Sequence, residues 1–589
     1  MYYCSLKTGP KLAVLQKQTT EMNRHNLKSI ALVAIIGLFI TACGGLGKMA
    51  KYAETITYDV DPNPLIVRGD SVEININGKF PGKYFNKKAM VELTPKLEYG
   101  SSSTPFKMVA FQGEKAAGNA TVIPYDNGKS FSYTDKVAYT SEMRDSDLML
   151  HILGRMGSKE QSFDPYKLAD GVITTPLLVM SDDKPIIGAD KFQRVTSHTE
   201  YAVINYLVNS SVVRPSELRE SDIKALDAYL KENGRSTDHT FNAATIEAYA
   251  SPEGEISLNE NLAVDRANTA KRAVSNMMRK HKMKFDADAF FNLKPKGEDW
   301  DGFKQKMQAS DIPDKELILR ILEMYKDNTK REEEIRNLAA TYVEIAEKIL
   351  PDLRRSQITV SYEITGRSDD QIIALARSAN ADSLNLEEML YAATLTDDLN
   401  EQYAIYQKTS ETYSDDYRAF NNMGVIHLMK NEVADAEKMF NASVEKKESP
   451  EAHNNIGIIK RLSGDRSAAM KHLEKAAGAG DEVNYNMGII DIQNGNYGSA
   501  IQNMKSFNTF NKALAYVLEG NNDAAMQTLK ESPEKDEAMG QYLKAIIAAR
   551  SNDAGTVGSS LKTAYAADAS LKEKAAKDLE FRNFQNEIK

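Results

Sequence analysis

From about Tyr52 to Met180, apolar and polar positions alternate with period two. Ile56, Tyr58 and Val60 share one face, as do Val72, Ile74 and Ile76, and then Ala89, Val91 and Leu93. That period belongs to strands buried on one side. Pro62, Pro64, Gly69, Gly78, Pro81, Gly82, Pro95, Gly100, Gly118 and Gly128 fall between the runs, as turn residues do between antiparallel strands. The pattern predicts an all-β sandwich over residues 53–195.

Near Ala202 the period changes. A strand through "AVINYLVNSS" precedes a helix with Ile223, Leu226 and Leu230 on one side and Gly234 at its end. A second strand, "TIEAYAS", leads into an amphipathic helix carrying Ala263, Ala267, Ala270, Val274 and Met277. Strands near Phe291 and over Ser356–Ile364 complete an α+β sandwich spanning 196–366. A helical insertion at about 300–350 carries Ile335, Leu338, Tyr342, Ile345 and Ile349 on one continuous face. Trp300, among the carboxylates of "GEDWDGF", reads as an anchor of those inserted helices, with a sugar-stacking or catalytic patch as the alternative.

Beyond a linker at 367–384, small residues recur over 385–589. Gly424, Gly457 and Gly488 are 33 and 31 residues apart, and each has an alanine twelve positions on: Ala436, Ala469 and Ala500. Small residues in paired helices let the backbones approach, while Phe440 and Leu473 fill the gap to the next unit. This resembles the tetratricopeptide repeat, which implies an α-helical solenoid with a protein partner on its groove. Ala392 with Ala404, and Ala513 with Ala525 and Leu529, extend the spacing on either side.

At the other end, Arg24 and Lys28 precede eleven apolar residues, Ile30–Ile40. As a helix these rise roughly 16 Å, against ~30 Å for a hydrocarbon core, so residues 1–42 read as an upstream extension and signal peptide. Ile40-Thr41-Ala42-Cys43 resembles the bacterial lipobox, which implies acylation of Cys43 and a lipidated, flexible tether over 43–52. Cys4 is removed with the leader, leaving no disulfide. Losing residues 1–42 removes five basic residues and one acidic one, which leaves 69 basic against 82 acidic, a net −13. That balance argues against nucleic acid as a partner. No acidic run follows Cys43, which favours the periplasmic face of the outer membrane over export to the surface.

The stretch "AYASPEGEISLNENLAVDRANTAKRAV" carries a further resemblance. The strand ending Ala248–Ser251, then Gly254, Asn259, Leu262, Arg266, Ala267 and Val274, are similar to the OmpA-like peptidoglycan-associating domain. The resemblance implies that the loop and following helix embrace the peptide stem of peptidoglycan, with Arg266 pairing a stem carboxylate through its planar fork. Ser251 stands where that family places an aspartate for the stem ammonium, and Glu253 is the replacement candidate. A second reading makes Arg266 a tie for the loop, through Glu253 or Glu255. The β-region is similar in pattern to immunoglobulin-like sandwiches.

Chemistry of turnover finds no foothold. The histidines are scattered singly, and no H-E-x-x-H, paired-cysteine, G-x-S-x-G or phosphate-cradling motif occurs. No catalytic residue, metal or cofactor is assigned. Together the features are similar to a Bacteroidota-like outer-membrane lipoprotein, a non-catalytic tether between membrane and peptidoglycan that recruits a protein partner. The alternatives are an accessory subunit of an outer-membrane assembly or secretion complex, an envelope glycan hydrolase, or a surface or fimbrial anchor.

Overall fold

A computed structural model describes residues 45–589; Cys4, the expected signal peptide and Cys43 lie outside the described residues. The chain forms two compact units. One runs up to Lys184 and takes in Lys460–Lys589; the other is Pro185–Ile459.

In the first unit, two sheets share one core. Ser71–Phe80 lies between Thr57–Asp61, Leu65–Arg68 and Lys129–Ala138 in a five-stranded sheet, and Met90–Tyr99 pairs Asp147–Met156 in a seven-stranded one. Val72, Ile74, Ile76, Val91 and Leu93 are all buried between them, as the alternation requires. Two pairings depart from the antiparallel expectation: Val172–Ile173 runs parallel to Leu65–Ile66, and Thr121–Ile123 parallel to Phe111–Gly113. The tether expected over 43–52 is also corrected. Gly45–Lys51 is a helix that sinks Leu46 and Met49 into the sandwich core, with the Tyr84 hydroxyl donating to the Met49 carbonyl at 2.9 Å.

Strands end at Ile173, well before the expected boundary at 195. After a turn at Thr175–Leu178, the chain runs extended to the next strand at Val195. The rest of this unit is helical hairpins: Asp481–Gln493 with Tyr497–Asn503, Phe510–Leu518 with Asn522–Glu531, and Ala538–Arg550 with Ala554–Ala567. The sequence separates these hairpins from the β-region, yet within the unit they are bonded together. Arg466 forks onto Asp70 at 2.8 and 2.9 Å, and Thr175 Oγ1 donates to Glu580.

The second unit holds a four-stranded sheet in the order Val195–Asn205, Arg355–Thr365, His239–Ala250, Phe291–Glu298, the last pair parallel. Helices Ser221–Asn233 and Ile256–Lys280 bury Ile223, Leu226, Leu230, Ala267, Ala270 and Val274 against Ala244, Ile246, Ala248, Ile358 and Val360. The inserted helices keep a small core of their own around Phe303, Ile318 and Ile345. Their last segment is not one helix but Asn328–Arg336, Ala339–Lys348 and Leu350–Leu353, with Leu338 outside helical geometry. Trp300 sits edge-on to Phe303 at 5.7 Å, with the Arg331 guanidinium 5.6 Å from its ring.

The expected linker at 367–384 is itself structured. Ser368 and Gln371 form a reciprocal capping box on helix Asp369–Arg377, which buries Ile372 in the core of the helices that follow. Those are Leu386–Ala392, Leu399–Thr412, Tyr417–Met429 and Val433–Lys446, with Pro450–Leu462 reaching the end of the unit. Of the flanking spacing, Ala392 is buried but Ala404 is exposed; Ile405, Tyr406 and Thr409 face the core in its place. Among the described residues, no helix is long and apolar enough to cross a membrane.

Candidate functional site: a loop clamp and an asparagine groove

Among the places where described polar side chains gather away from water, two bear on function. The first is the loop after His239–Ala250. Ser251 is buried and donates to Glu253 at 2.6 Å, and Arg354 reaches the same carboxylate at 2.7 Å. Gly254, at φ +99, points its amide to Glu332 of the insertion at 2.5 Å, and Glu332 pairs with Arg336. Asn259 bridges the Glu253 carbonyl and the Glu298 carboxylate at 3.2 and 3.0 Å. Burial pushes the Glu332 carboxyl above its usual range, and Glu298 and Glu253 nearby add to the shift. Leu262 is half-buried one turn ahead of Arg266.

Arg266 is 1% exposed. Its guanidinium donates to the Tyr249, Ser210 and Leu207 carbonyls at 2.8, 3.0 and 3.3 Å and lies 5.1 Å from the Tyr206 ring. Burial without a bonded carboxylate lowers its pKa to about 10. Of the two sequence readings, this geometry is the tie. It differs from the expected one in its partners, which are backbone carbonyls and not Glu253 or Glu255. A fork committed to three carbonyls is not poised for a ligand carboxylate.

The second place was not anticipated. Ala436, Ala469, Ala500, Phe440 and Leu473 are all buried. A Cβ on Gly424 would stand 2.5 Å from the Phe440 ring, and one on Gly488 2.7 Å from Met504. Gly457 occupies the matching place on Pro450–Leu462. Two residues before each of these glycines is an asparagine, and these asparagines hold the extended segment that follows Leu178.

In the second unit, Asn422 accepts from the Gly188 amide at 2.7 Å and donates to the Gly188 carbonyl at 3.0 Å. Asn455 makes the same pair with Ile186, 2.8 Å each way, and Asn421 joins them, accepting from Asn455 at 2.9 Å. Arg418 donates to the Ala189 carbonyl at 3.1 Å and forks onto Glu387 at 2.9 and 2.8 Å, while Glu387 accepts from the Lys191 amide. A Cβ on Gly188 would lie 2.8 Å from Arg418 Cβ and 3.1 Å from its Cα.

In the first unit, Asn486 pairs with Lys184 at 2.8 and 2.9 Å, and Asn511 with Met180 at the same two distances. Here side chains are recognised as well. Asp182 takes the Tyr485 hydroxyl and, at 2.5 Å, the Asn511 amide; Arg461 forks onto Asp183, its Nε at 2.7 Å. The side chains of Arg461 and Asp183 are 4% and 8% exposed.

An asparagine amide carries a donor and an acceptor in one plane, so it can meet both groups of a peptide unit as a neighbouring strand would. This recognises main chain whatever its side chains. The sequence signal was present and went unread: "NNMG", "NNIG", "YNMG" and "FNKA" place a polar residue on an otherwise buried helix face, always two before the small residue. For a metal, the best grouping among the described residues is His427, Glu432 and Asp435, whose ligand atoms lie within 4.8 Å at an exposed turn, where His427 is hydrogen-bonded to Glu432.

No family profile matches this chain, and no curated protein does. Solved structures similar to it include the Cut9–Hcn1 hetero-tetramer of the APC/C, at 11% identity over 62% of this chain and 80% of that one, TM-score 0.31. PilF of Pseudomonas aeruginosa aligns at 15% identity over 38% of this chain and all of its own, TM-score 0.28. A tetratricopeptide repeat protein from Parabacteroides merdae aligns at 15% over 44% and 98%, TM-score 0.27. The description of the repeats here rests on the helix pairs themselves.

Proposed function

We propose that this protein is a non-catalytic scaffold of a bacterial cell envelope, held at the periplasmic face of the outer membrane by acyl chains on Cys43. Its helical repeats bind extended polypeptide. The observation that carries the reading is the paired bonding of Asn422, Asn455, Asn486 and Asn511 to main chain, a recognition device with no reacting group in it. Cross-linking of membranes containing the full chain, followed by native purification, tests it. A discrete complex with another polypeptide, lost to the soluble fraction in Cys43→Ser, is expected; a chain that stays alone and soluble in both forms overturns it.

A contact with peptidoglycan is a second reading, favoured by one observation. Glu253, Glu298 and Glu332 converge on the loop Ser251–Asn259, three carboxylates against the guanidiniums of Arg354 and Arg336, where Ser251 carries no charge. These carboxylates, rather than Arg266, would receive the stem ammonium. Co-sedimentation with insoluble peptidoglycan tests this reading: wild type sediments and Glu332→Gln does so less. Equal sedimentation of the two, or none of either, removes it.

A further inference from the structure

The helical repeats of the first unit do more than read main chain. Over Leu178–Lys184 the side chains as well as the main chain are met by groups of the helices. Leu178 is buried in the helical core beside Tyr485 and Ile489. Met180 and Lys184 are gripped through amide and carbonyl by Asn511 and Asn486. Between them the acids part: Asp182 goes to Tyr485 and Asn511, Asp183 to the fork of Arg461. The Lys184 ammonium stands 4.9 Å from the Tyr485 ring.

We propose that Met180–Lys184 is a resident ligand in a strand-binding site, and that the site takes in trans an extended segment of a partner polypeptide carrying two adjacent acidic residues, preceded by an apolar anchor. This rests on the reading of the repeats as a strand-binding scaffold and names the class of strand. The argument for that occupant is on the segment itself. A purely structural strap would need only the asparagine rungs, which are indifferent to sequence. Here a buried arginine, a tyrosine hydroxyl and an asparagine amide are all spent on two consecutive carboxylates, and a buried charge pair discriminates: an entering strand without the acid leaves Arg461 desolvated and unpaired. The segment has no helix or strand of its own to hold it in place if the rungs open. Its backbone is therefore free to exchange for another of the same chemistry.

The test uses the full chain and a fluorescent synthetic peptide of residues 176–184, with a control peptide bearing asparagine at both acidic positions. Asp182→Asn with Asp183→Asn weakens the resident strand and leaves Asn486, Asn511, Tyr485 and Arg461 in place. The acidic peptide is expected to bind that variant more than about tenfold tighter than it binds wild type, and more than about tenfold tighter than the control peptide does. Adding Arg461→Ala to the variant should abolish the difference between the peptides. A folded variant that binds neither peptide overturns the proposal while leaving the scaffold reading to its own cross-linking test. A variant that forms a concentration-dependent dimer assigns the site to a second copy of this chain and overturns the partner assignment. If the variant does not fold, hydrogen exchange on wild type decides. Amides of Met180 and Lys184 that exchange well before those of Phe510–Leu518 support a displaceable strand, and amides that exchange only with global unfolding overturn it.

Discussion

Arg266 in the second unit and Arg461 in the first are both buried arginines that hold irregular chain against a helix, and they do it in opposite ways. Arg266 spends its donors on three backbone carbonyls with no bonded carboxylate, and burial drags its pKa down. Arg461 meets a carboxylate squarely. The first arrangement fixes a loop and has no vacancy for a ligand. The second is a matched pair in which one member belongs to an extended segment and could be supplied by another chain. A resemblance in sequence pointed to Arg266 as the hook; Arg266 is bonded to backbone carbonyls, whereas Arg461 holds the carboxylate of Asp183.

The largest effect that bears on this contrast is expected from Asp183→Ala. It leaves the Arg461 charge buried and unpaired, which costs about 3–5 kcal/mol, read as a lowered denaturation midpoint. Replacing both partners together, Asp183→Leu with Arg461→Met, should cost much less than Asp183→Ala alone. Equal losses would mean that the pair contributes no discrimination. Arg266→Leu comes next. Three carbonyls lose their donors, and about 3 kcal/mol is expected, while Arg266→Lys recovers less than half because one ammonium cannot reach all three. Should Arg266→Lys keep full stability and lose only peptidoglycan binding, Arg266 would be a hook after all and the contrast would collapse.

Within the groove, Asn455→Ala strips both polar groups of Ile186 of their main partner and should cost about 2 kcal/mol. Gly188→Ala sets a Cβ against the Arg418 backbone and should cost about 1–2 kcal/mol. Both are measured by denaturation and by protease sensitivity of the extended segment. A segment equally resistant in Asn455→Ala and wild type would show that the asparagine rungs are dispensable.

What could be seen in the sequence was whatever repeats locally. Val72, Ile74 and Ile76 announce their strand because burial on one face imposes a period of two. Gly424 and Phe440 announce their hairpin because two helices must approach at a fixed offset. The helix Gly45–Lys51 gave no such signal: seven residues with two glycines have little propensity, and the burial of Leu46 and Met49 is a tertiary event. The extended run after Leu178 has no period at all, since partners 196 to 331 residues away hold it through its main chain. Half of that contact was nonetheless legible, in asparagines at a fixed step on buried helix faces. The capping box at Ser368 and Gln371 was equally plain and would have replaced the expected linker with a helix.

The smallest effect is one of pH, and its sign differs between the two units. In the second unit, bonding to Arg418 holds the Glu387 carboxyl below its ordinary 4.5, helped by the Lys191 amide. A lowered folded value means stability that is present above pH 4.5 and lost as pH falls through the lower folded value. In the first unit, burial raises Asp182 above its ordinary 3.8 despite the Tyr485 hydroxyl. A raised folded value works the other way, with stability fully present below pH 3.8 and lost as pH rises through the folded value. Asp182→Asn, which mimics the protonated acid, should therefore cost less at pH 7 than at pH 4, whereas Glu387→Gln should cost more at pH 7 than at pH 4. Denaturation of both variants across that interval checks the signs. Parallel slopes would mean that the two units hold these carboxylates alike, and that Asp182 is no more a ligand than Glu387 is.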